Sequence, residues 1–551
     1  MYIEPNTTVK LLKNCPLDNG YEHTIFFDTP LAQEYYFTSQ LPGYTFDHMS
    51  YQRVNRGTLR VQMNAEQLYN CNYMAFRNTA FGNKWFFAFV NRVEYINNIT
   101  TEITYEIDII QTWFFQFKIP SCFVERIHAA TDEPGDNLVP EGLETGEYVI
   151  QSSGVDLLLE PLSIVIAATF DEQLQDVSGG IYSQLFTGLH YNVFPMGYYA
   201  PDDPDHPGEY GPYVAMQFIS SATTAGKSGG IVSMFMMPSC MVTANGAGVF
   251  PAYHIVSRPK AVTGDIDGYT PKNKKLYTYP YNFLYVTNFQ GNGSPYPYEY
   301  FSGQSCDFDV SGDMSPNPSV LLRPVGYKGS NLNTDEKMVL TGYPQVPYTV
   351  DAFKAWLAMN ATNLAVDALS NAGAVAAAGI GGNLMGAASG VMGVGRLLGN
   401  VYQHSILPPQ AKGGGGSITA CALRIQNFGF YRKTIKAEFA RIIDDFFTMY
   451  GYACHKVMVP NRKVRNEWTY IKTVNCKVEP GYPTDAILQG TAPEAGLPAE
   501  DARRIEQIHN NGITYWVVPG HLGDYMTYPN DLPVTAGTEG GEGTIGEQTE
   551  P

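Results

Sequence analysis

The N-terminal part of the chain alternates apolar and polar residues in the pattern of an antiparallel sheet. Between Thr101 and Ile110 every second position is apolar, so four side chains share one face of a strand: Ile103, Tyr105, Ile107 and Ile109. The preceding run Trp85–Val90 is continuously apolar and has the length of a strand, and Asn97-Asn98 lies between the two segments as a turn. The pattern predicts a β-hairpin.

A helical period replaces this alternation near the C-terminus. Apolar residues follow i, i+3, i+4, i+7, i+8, i+11 spacing, which predicts one buried helix face ended by Gly451: Phe439, Ile442, Ile443, Phe446, Phe447 and Tyr450. A second short helix is predicted over Ala499–His509, before a strand over Ile513–Val518. Residues 131–350 contain short strand patterns separated by Pro- and Gly-rich loops, so most of the chain is predicted to be β.

The chain has 551 residues, which is too many for one ordinary core, so several domains are expected. Changes in composition and periodicity along the sequence divide it into five parts, which are residues 1–150, 151–350, 351–417, 418–533 and 534–551. The first and fourth are predicted to be β-rich segments that meet in space, the second a β-rich insertion, and the third a hydrophobic loop. The last is mostly Gly, Thr and Glu and is expected to be disordered.

The third part contains an uncharged stretch from Ala368 to Gly395. About thirty such residues are long enough to cross a bilayer once as a helix. Small residues recur at every fourth position, which suits close helix packing in lipid. The predicted membrane or pore residues are Ala374, Ala378, Gly382, Leu384, Met385, Gly386, Gly390, Val391, Met392, Val394, Leu397 and Leu398. A Gly/Ala-rich linker and a small-residue core helix are the alternatives.

Composition and charge exclude several classes of protein. Aromatic residues make up 13% of the chain and charged residues only 16%, which favours large buried β surfaces. The net charge of −18 argues against a DNA-binding protein but suits a conduit, since a phosphate-binding wall would retard DNA. The eight cysteines form no CxxC pair, and the chain begins without a secretory signal, so free thiols and synthesis in a cytoplasm are expected.

Motifs for catalysis or metal binding are weak. Gly226–Gly230 matches GxSxG by letter, but a strand follows it, so a loop between strands is predicted. Asp265, Asp267 and the loop 202–205 resemble only fragments of a calcium loop, and the aromatic runs at Trp85 and Trp113 are predicted to be sheet core rather than sugar-stacking platforms. We therefore predict no catalytic, cofactor-binding or metal-binding residues, no cofactor, and a protein that is not an enzyme.

Several short motifs resemble those of the tail-knob proteins of short-tailed Bacillus-type podophages, the picovirus group. In the N-terminal part they are Leu68-Tyr-Asn70, Asn72-Tyr73-Met74-x-Phe76, Gly82-Asn-Lys-Trp-Phe86, Glu94-Tyr95, Tyr105-Glu-Ile-Asp108 and Gln111-Thr-Trp113. Further along they are Glu141-Gly-Leu143, Tyr279-Pro-Tyr281, Lys436-Ala-Glu438, Phe446-Phe447, Tyr450-Gly-Tyr452 and Asn511-Gly-Ile-Thr514 with Trp516. The resemblance is strong over roughly 60–150 and 418–518 and faint over 151–350.

The resemblance implies a structural virion protein at the tail tip, with tail-tube-like β-barrel or sandwich domains. Six copies would form a ring through which the double-stranded genome passes without specific binding. A hydrophobic loop from each copy would plug the channel and later penetrate host membrane lipid. The other implied partners are tail proteins, namely the lower collar or connector and the tail-tip protein. The alternatives are a tail-tip receptor-binding protein, with residues 151–350 as the binding region, and a cell-wall-degrading enzyme.

Overall fold

The structure is a computed structural model, and it describes residues 6–49, 57–79, 83–151, 162–170, 184–186, 188–195, 211–238, 242–245, 248–251, 253–289, 291–313, 318–341, 343, 345–346, 351–353, 428–480 and 497–528. The predicted membrane or pore residues from Ala374 to Leu398 all lie outside these ranges.

The described residues are mostly β, as the sequence pattern predicts. In chain order the strands are β1 (Thr7–Lys13), β2 (His23–Ile25), β3 (Gly43–Met49), β4 (Thr58–Val61), β5 (Cys71–Arg77), β6 (Phe86–Asn97), β7 (Thr100–Ile107), β8 (Phe117–Lys118), β9 (Cys122–Ile127), β10 (Tyr148–Ile150), β11 (Leu162–Ala168), β12 (Gln184–Phe186), β13 (Leu189–Pro195), β14 (Ile231–Pro238), β15 (Val242–Asn245), β16 (Gly248–Pro251), β17 (Tyr253–Pro259), β18 (Asn282–Thr287), β19 (Gly293–Tyr296), β20 (Ser305–Asp313), β21 (Ser319–Val325), β22 (Met338–Leu340), β23 (Gly429–Ile435), β24 (Tyr452–Met458), β25 (Trp468–Val474), β26 (Glu479–Pro480) and β27 (Ile513–Trp516).

Helices are short by comparison. The α-helices are α1 (Pro30–Tyr35), α2 (Ala65–Leu68), α3 (Ile109–Trp113), α4 (Gly211–Thr224), α5 (Ala437–Tyr450) and α6 (Ala499–Asn511). A π-helical turn, Tyr36–Gln40, continues α1. Single 3₁₀ turns occur at Ser228–Gly230, Lys274–Tyr277, Tyr298–Tyr300 and Pro519–His521.

The chain divides into two compact units. Unit 1 takes its residues from Met1–Glu144, Pro271–Leu276 and Glu438–Pro551, and unit 2 from Thr145–Thr270 and Tyr277–Ala437. Unit 2 contains three four-stranded antiparallel sheets, ordered β10-β23-β18-β19, β12-β13-β11-β14 and β17-β20-β21-β22. Their buried residues include Ile166, Phe235 and Phe308.

Unit 1 is built on two large sheets, besides a two-stranded sheet of β8 and β26. The first has six antiparallel strands in the order β3-β1-β5-β6-β7-β4. The second has five strands in the order β2-β27-β25-β9-β24, in which only β2 and β27 run parallel. Because β2 and β9 precede residue 145 and the other three strands follow residue 451, the two ends of the chain share one sheet.

The predicted hairpin is confirmed as β6 and β7, but its turn residues are Asn98 and Ile99, one position later than predicted, because Asn97 still pairs with Thr100. Ile103 is fully buried on the predicted face, whereas Tyr105 and Ile107 are partly buried. Ile109 does not continue the strand, because the Asp108 side chain caps α3 by accepting the Gln111 N–H at 3.0 Å. The predicted strand therefore extended two residues beyond the end of β7 at Ile107.

The two predicted C-terminal helices are confirmed, but the buried face of α5 is rotated from the predicted one, and only Ile443 and Phe447 of the predicted face are buried. Ile442 is 67% exposed, whereas Asp444 and Thr448 are buried. The reason is residues 271–276, which lie against this helix: the Asp444 carboxylate accepts the backbone N–H groups of Lys272 at 2.7 Å and Asn273 at 2.9 Å. Because both hydrogen bonds satisfy the Asp444 carboxylate, it can be buried on a helix face that was predicted to be exposed.

Candidate assembly surface

The five-stranded sheet of unit 1 has one buried and one exposed face. Cys122 and Val124 of β9 and Ile471 and Thr473 of β25 are buried. Phe123 alternates with the buried residues of β9, and since successive side chains of a strand point to opposite faces, it lies on the outer face. An outer face in contact with water is expected to be polar.

Three apolar side chains nevertheless form a continuous row across the outer face. Phe123 is paired with Val457 of β24 on one side and with Val474 of β25 on the other. Directly paired residues of antiparallel strands lie on the same face, with their Cβ atoms about 5 Å apart. The exposed fractions are 69% for Val457, 39% for Phe123 and 40% for Val474. We call these three residues the apolar row.

Polar groups border the apolar row. The His455 ring stacks on the Phe123 ring, with centroids 6.2 Å apart and planes 22° apart. The Lys472 ammonium lies 2.8 Å from a Glu125 carboxylate oxygen, and both side chains are about one-third exposed. An apolar centre surrounded by polar groups is the arrangement of a protein interface.

A buried charge cluster holds the edge strand of this sheet in place. Glu141 lies beside the Arg126 guanidinium of β9, accepts from the Lys275 ammonium at 2.6 Å, and accepts the Ala453 N–H of β24 at 2.9 Å. The side chains of Glu141 and Lys275 are 2% and 3% exposed. Burial lowers the pKa of Lys275, and the hydrogen bond to Glu141 opposes that shift. Glu141 therefore links β9 to β24, which fixes the spacing of Phe123 and Val457.

A second exposed apolar site lies at the end of the β6–β7 hairpin. All five residues Tyr95–Ile99 are exposed, and the exposed fractions of the three apolar ones are 52% for Tyr95, 44% for Ile96 and 64% for Ile99. The turn is held by two hydrogen bonds, from the Tyr95 hydroxyl to Asn98 at 2.7 Å and from the Ile99 N–H to Asn97 at 3.0 Å. We call Tyr95–Ile99 the hairpin tip.

Neither apolar site was identified from the sequence. The row depends on pairing residues more than 300 positions apart, so no local pattern shows it. The alternation of Val457 and Val459, both exposed at the end of β24, is the one sequence signal that could have indicated it.

The aromatic runs lie in the core of unit 1, as predicted. Phe86, Phe87, Trp113 and Phe114 are at least 92% buried. Trp85 is only partly buried, but the Arg77 guanidinium lies 4.6 Å from its ring centroid and its N–H donates to Glu34 at 3.0 Å. The Arg77 guanidinium therefore makes a cation–π contact with the Trp85 ring.

The weak motifs that the structure describes have structural roles, whereas the acidic loop 202–205 lies outside the described residues. Asp267 accepts the Ala437 N–H at 3.0 Å, and Asp265 accepts the Thr270 hydroxyl at 2.5 Å. The loop with Gly226 and Ser228 was predicted to lie between strands, but it joins helix α4 to strand β14. A nucleophile elbow runs the other way, from strand to helix. Among the residues that the structure describes, no three side chains form a group suited to a metal ion, and no helix has the length and apolar composition needed to cross a bilayer.

Comparison with known proteins places both ends of the chain in phage tails. Residues 5–118 match the family model of the caudoviral major tail protein N-terminus. Residues 252–528, just over half of the chain, match the model of the Bacillus phage phi29 tail knob protein gp9, C-terminal domain.

Full-length relatives agree with these matches. The chain is 26% identical to the tail knob protein gp9 of Bacillus phage phi29, with 94% of this chain and 98% of the relative covered. It is 25% identical to the tail knob protein gp9 of Bacillus phage B103, with the same coverage. Among solved structures, the bacteriophage C1 tail knob protein gp12 has the same fold, with a TM-score of 0.57, 12% identity, and coverage of 95% of this chain and 99% of that one. The chain therefore belongs to the tail knob protein gp9 family of phi29-like Bacillus phages, and it is a structural component of the virion tail.

Proposed function

We propose that six copies of this chain close into a ring at the tip of the phage tail, that the genome leaves through the ring, and that the hydrophobic segment of each copy first plugs the channel and then penetrates the host membrane. The observation that carries the ring is the apolar row on the outer face of the five-stranded sheet. The number six rests on the family resemblance.

An exposed apolar row on a sheet is a liability in an isolated chain. Large contiguous apolar patches on soluble proteins mark interaction sites or promote aggregation. Val457, Phe123 and Val474 are fixed in register, so their exposed surface is contiguous rather than scattered. Contact with another copy buries this surface, and burial stabilises the complex by about 25 cal/mol per Å² of apolar surface.

Charge supports a conduit for DNA. The net charge of −18 opposes tight binding of phosphates, so an inner wall made by this chain lets a duplex pass. In this proposal the genome passes through the ring without specific binding, and the connector and the tail-tip protein lie at the two ends of the tube.

The membrane role belongs to the uncharged segment 368–395. Its composition supports insertion into lipid once it leaves the channel, and the small residues Ala374, Ala378, Gly382, Gly386 and Gly390 support close packing of neighbouring helices there. The described residues offer no other stretch of this kind.

Two measurements on the purified full-length chain test the proposal. Native mass spectrometry and electron microscopy of the chain should show closed rings with central density, and a chain that stays monomeric at micromolar concentration contradicts the ring. A variant without residues 368–399 should form the same rings without central density and fail to release dye from liposomes. Equal dye release by the deletion variant and the full-length chain contradicts the membrane role.

A further inference from the structure

We infer that the hairpin tip of one copy occupies the apolar row of the next copy. The inference rests on the proposed ring and names the contact that closes it. Both sites belong to unit 1, but they lie on different sheets, the tip on the six-stranded sheet and the row on the five-stranded one.

The apolar row suits a narrow occupant. It crosses three strands, which are about 4.8 Å apart, so it is about 10 Å long. The His455 ring and the Glu125–Lys472 pair stand beside it as polar groups. A broad flat partner would bury these groups as well, whereas the end of a two-stranded hairpin can cover the row alone.

The hairpin tip has the properties of such an occupant. Its three apolar side chains lie within five consecutive exposed positions, so the tip presents a small apolar surface that a partner can cover. The hydrogen bonds made by Asn97 and Asn98 fix the turn before binding. A preformed turn loses little conformational entropy on docking, so more of the burial free energy is retained.

Two different sites on one chain favour a second copy as the partner. A contact between unlike patches is head-to-tail. Head-to-tail contacts produce a closed ring when the rotation from one copy to the next adds up to 360° over a whole number of copies. A row-to-row contact would give a two-fold dimer and leave every hairpin tip exposed.

Charge substitution tests the contact in the full-length chain. Val457→Asp and Ile99→Asp should each raise the concentration needed for half-maximal ring formation by roughly tenfold or more, because each places a carboxylate in the apolar contact. The matched controls Val232→Asp and Ile255→Asp, at positions of unit 2 that are 45% and 51% exposed, should leave that concentration unchanged. Thermal unfolding of the monomers shows whether each variant is folded, and Val457→Ser replaces Val457→Asp if the latter is not.

Cross-linking identifies the partner site directly. Ile99→Cys chains mixed with Val457→Cys chains should give a covalent heterodimer with a short bismaleimide, whereas the parent chain with its native cysteines should give none. Val457→Cys chains cross-linked to each other would overturn the inference in favour of a row-to-row contact. Rings that form normally in both Asp variants would overturn the inference and leave the proposed ring intact, whereas a parent chain that never forms rings would overturn both.

Discussion

Lys275 and Glu141 form an ion pair at 2.6 Å with both side chains at least 97% buried. Removing one partner of such a pair leaves the other charge in the interior, which typically costs 3–5 kcal/mol. Glu141 keeps Arg126 as a second partner, so Lys275→Met should lower the free energy of unfolding by about 3 kcal/mol, at the low end of that range. Urea denaturation measures the difference.

The exposed pair Arg60–Glu102 is the control for that measurement, because the Arg60 side chain is 68% exposed. Arg60→Met should lower the free energy of unfolding by less than about 1 kcal/mol. Similar losses for Lys275→Met and Arg60→Met would contradict the role of the buried cluster in holding β24.

Asp108 should destabilise the folded chain as the pH rises. Burial raises its pKa from 3.8 to about 6, although the Gln111 N–H and the Tyr73 hydroxyl donate to the carboxylate. Because the folded state holds the proton more tightly, this contribution to stability is present below pH 3.8 and is lost as the pH rises through 6. The loss is on the order of 2–3 kcal/mol.

Asp108→Asn should remove that dependence, since an amide does not titrate. Its oxygen can accept the Gln111 N–H, and its NH₂ group can donate to the Tyr73 hydroxyl oxygen. The test is the difference in unfolding free energy between parent and variant, measured by urea denaturation from pH 4 to pH 7.5. A difference that stays constant over this range would contradict the assignment.

Two buried histidines should have the opposite effect to Asp108, because they make the folded chain less stable as the pH falls. Burial lowers the pKa of His128 to about 3 and that of His509 to about 4. The neutral rings are fully bonded: His128 donates to the Thr448 carbonyl at 3.0 Å and accepts the Tyr470 N–H at 2.9 Å, and His509 lies 2.7 Å from both the Ile505 carbonyl and the Tyr515 hydroxyl. A second ring proton would replace an acceptor with a donor.

Their contribution to stability is therefore present above pH 6.5 and is lost as the pH falls from 6.5 toward 4. His509→Gln should reduce the acid-dependent loss by about 3 kcal/mol, which measurements of unfolding at pH 7 and pH 4.5 would reveal. An unaltered acid profile in His509→Gln would argue against a neutral buried ring.

Gly451 ends α5 with a φ of +64°, and a Cβ atom there would lie 2.5 Å from the backbone of Ile127 and His128. Gly451→Ala should therefore lower the free energy of unfolding by roughly 2–4 kcal/mol, through both the clash and the left-handed backbone. Gly520→Ala, where a Cβ atom meets open space, should change the melting temperature little. Thermal unfolding of the two variants compares them, and equal melting temperatures would contradict the close approach.

Local patterns in the sequence predicted local structure well. The β6–β7 hairpin follows from alternation and its turn, to within one position, from Asn97-Asn98, and the end of α5 follows from Gly451. The face of α5 could not be predicted, because the partners of Asp444 come from residues about 170 positions earlier. Nothing in the periodicity of α5 distinguishes Ile442, which faces solvent, from Ile443, which is buried.

The candidate site could not be predicted from such local patterns. Phe123, Val457 and Val474 lie in three strand-like segments, and each taken alone is consistent with ordinary sheet residues. Only the register between β9, β24 and β25 places them side by side. The family resemblance identified the class of protein, but it could not supply this register.

The pairing of β2 with β27 sets the order in which a newly made chain can complete its sheets. The Phe26 N–H donates to the carbonyl of Trp516, so β2 cannot gain this partner before residue 516 has been synthesised. The described strands of unit 2 are all present once residue 437 has been synthesised, whereas the five-stranded sheet gains its last three strands between residues 452 and 516. The apolar row lies on β9, β24 and β25, so a nascent chain cannot present it before residue 474 has been synthesised, which delays association through the row until then.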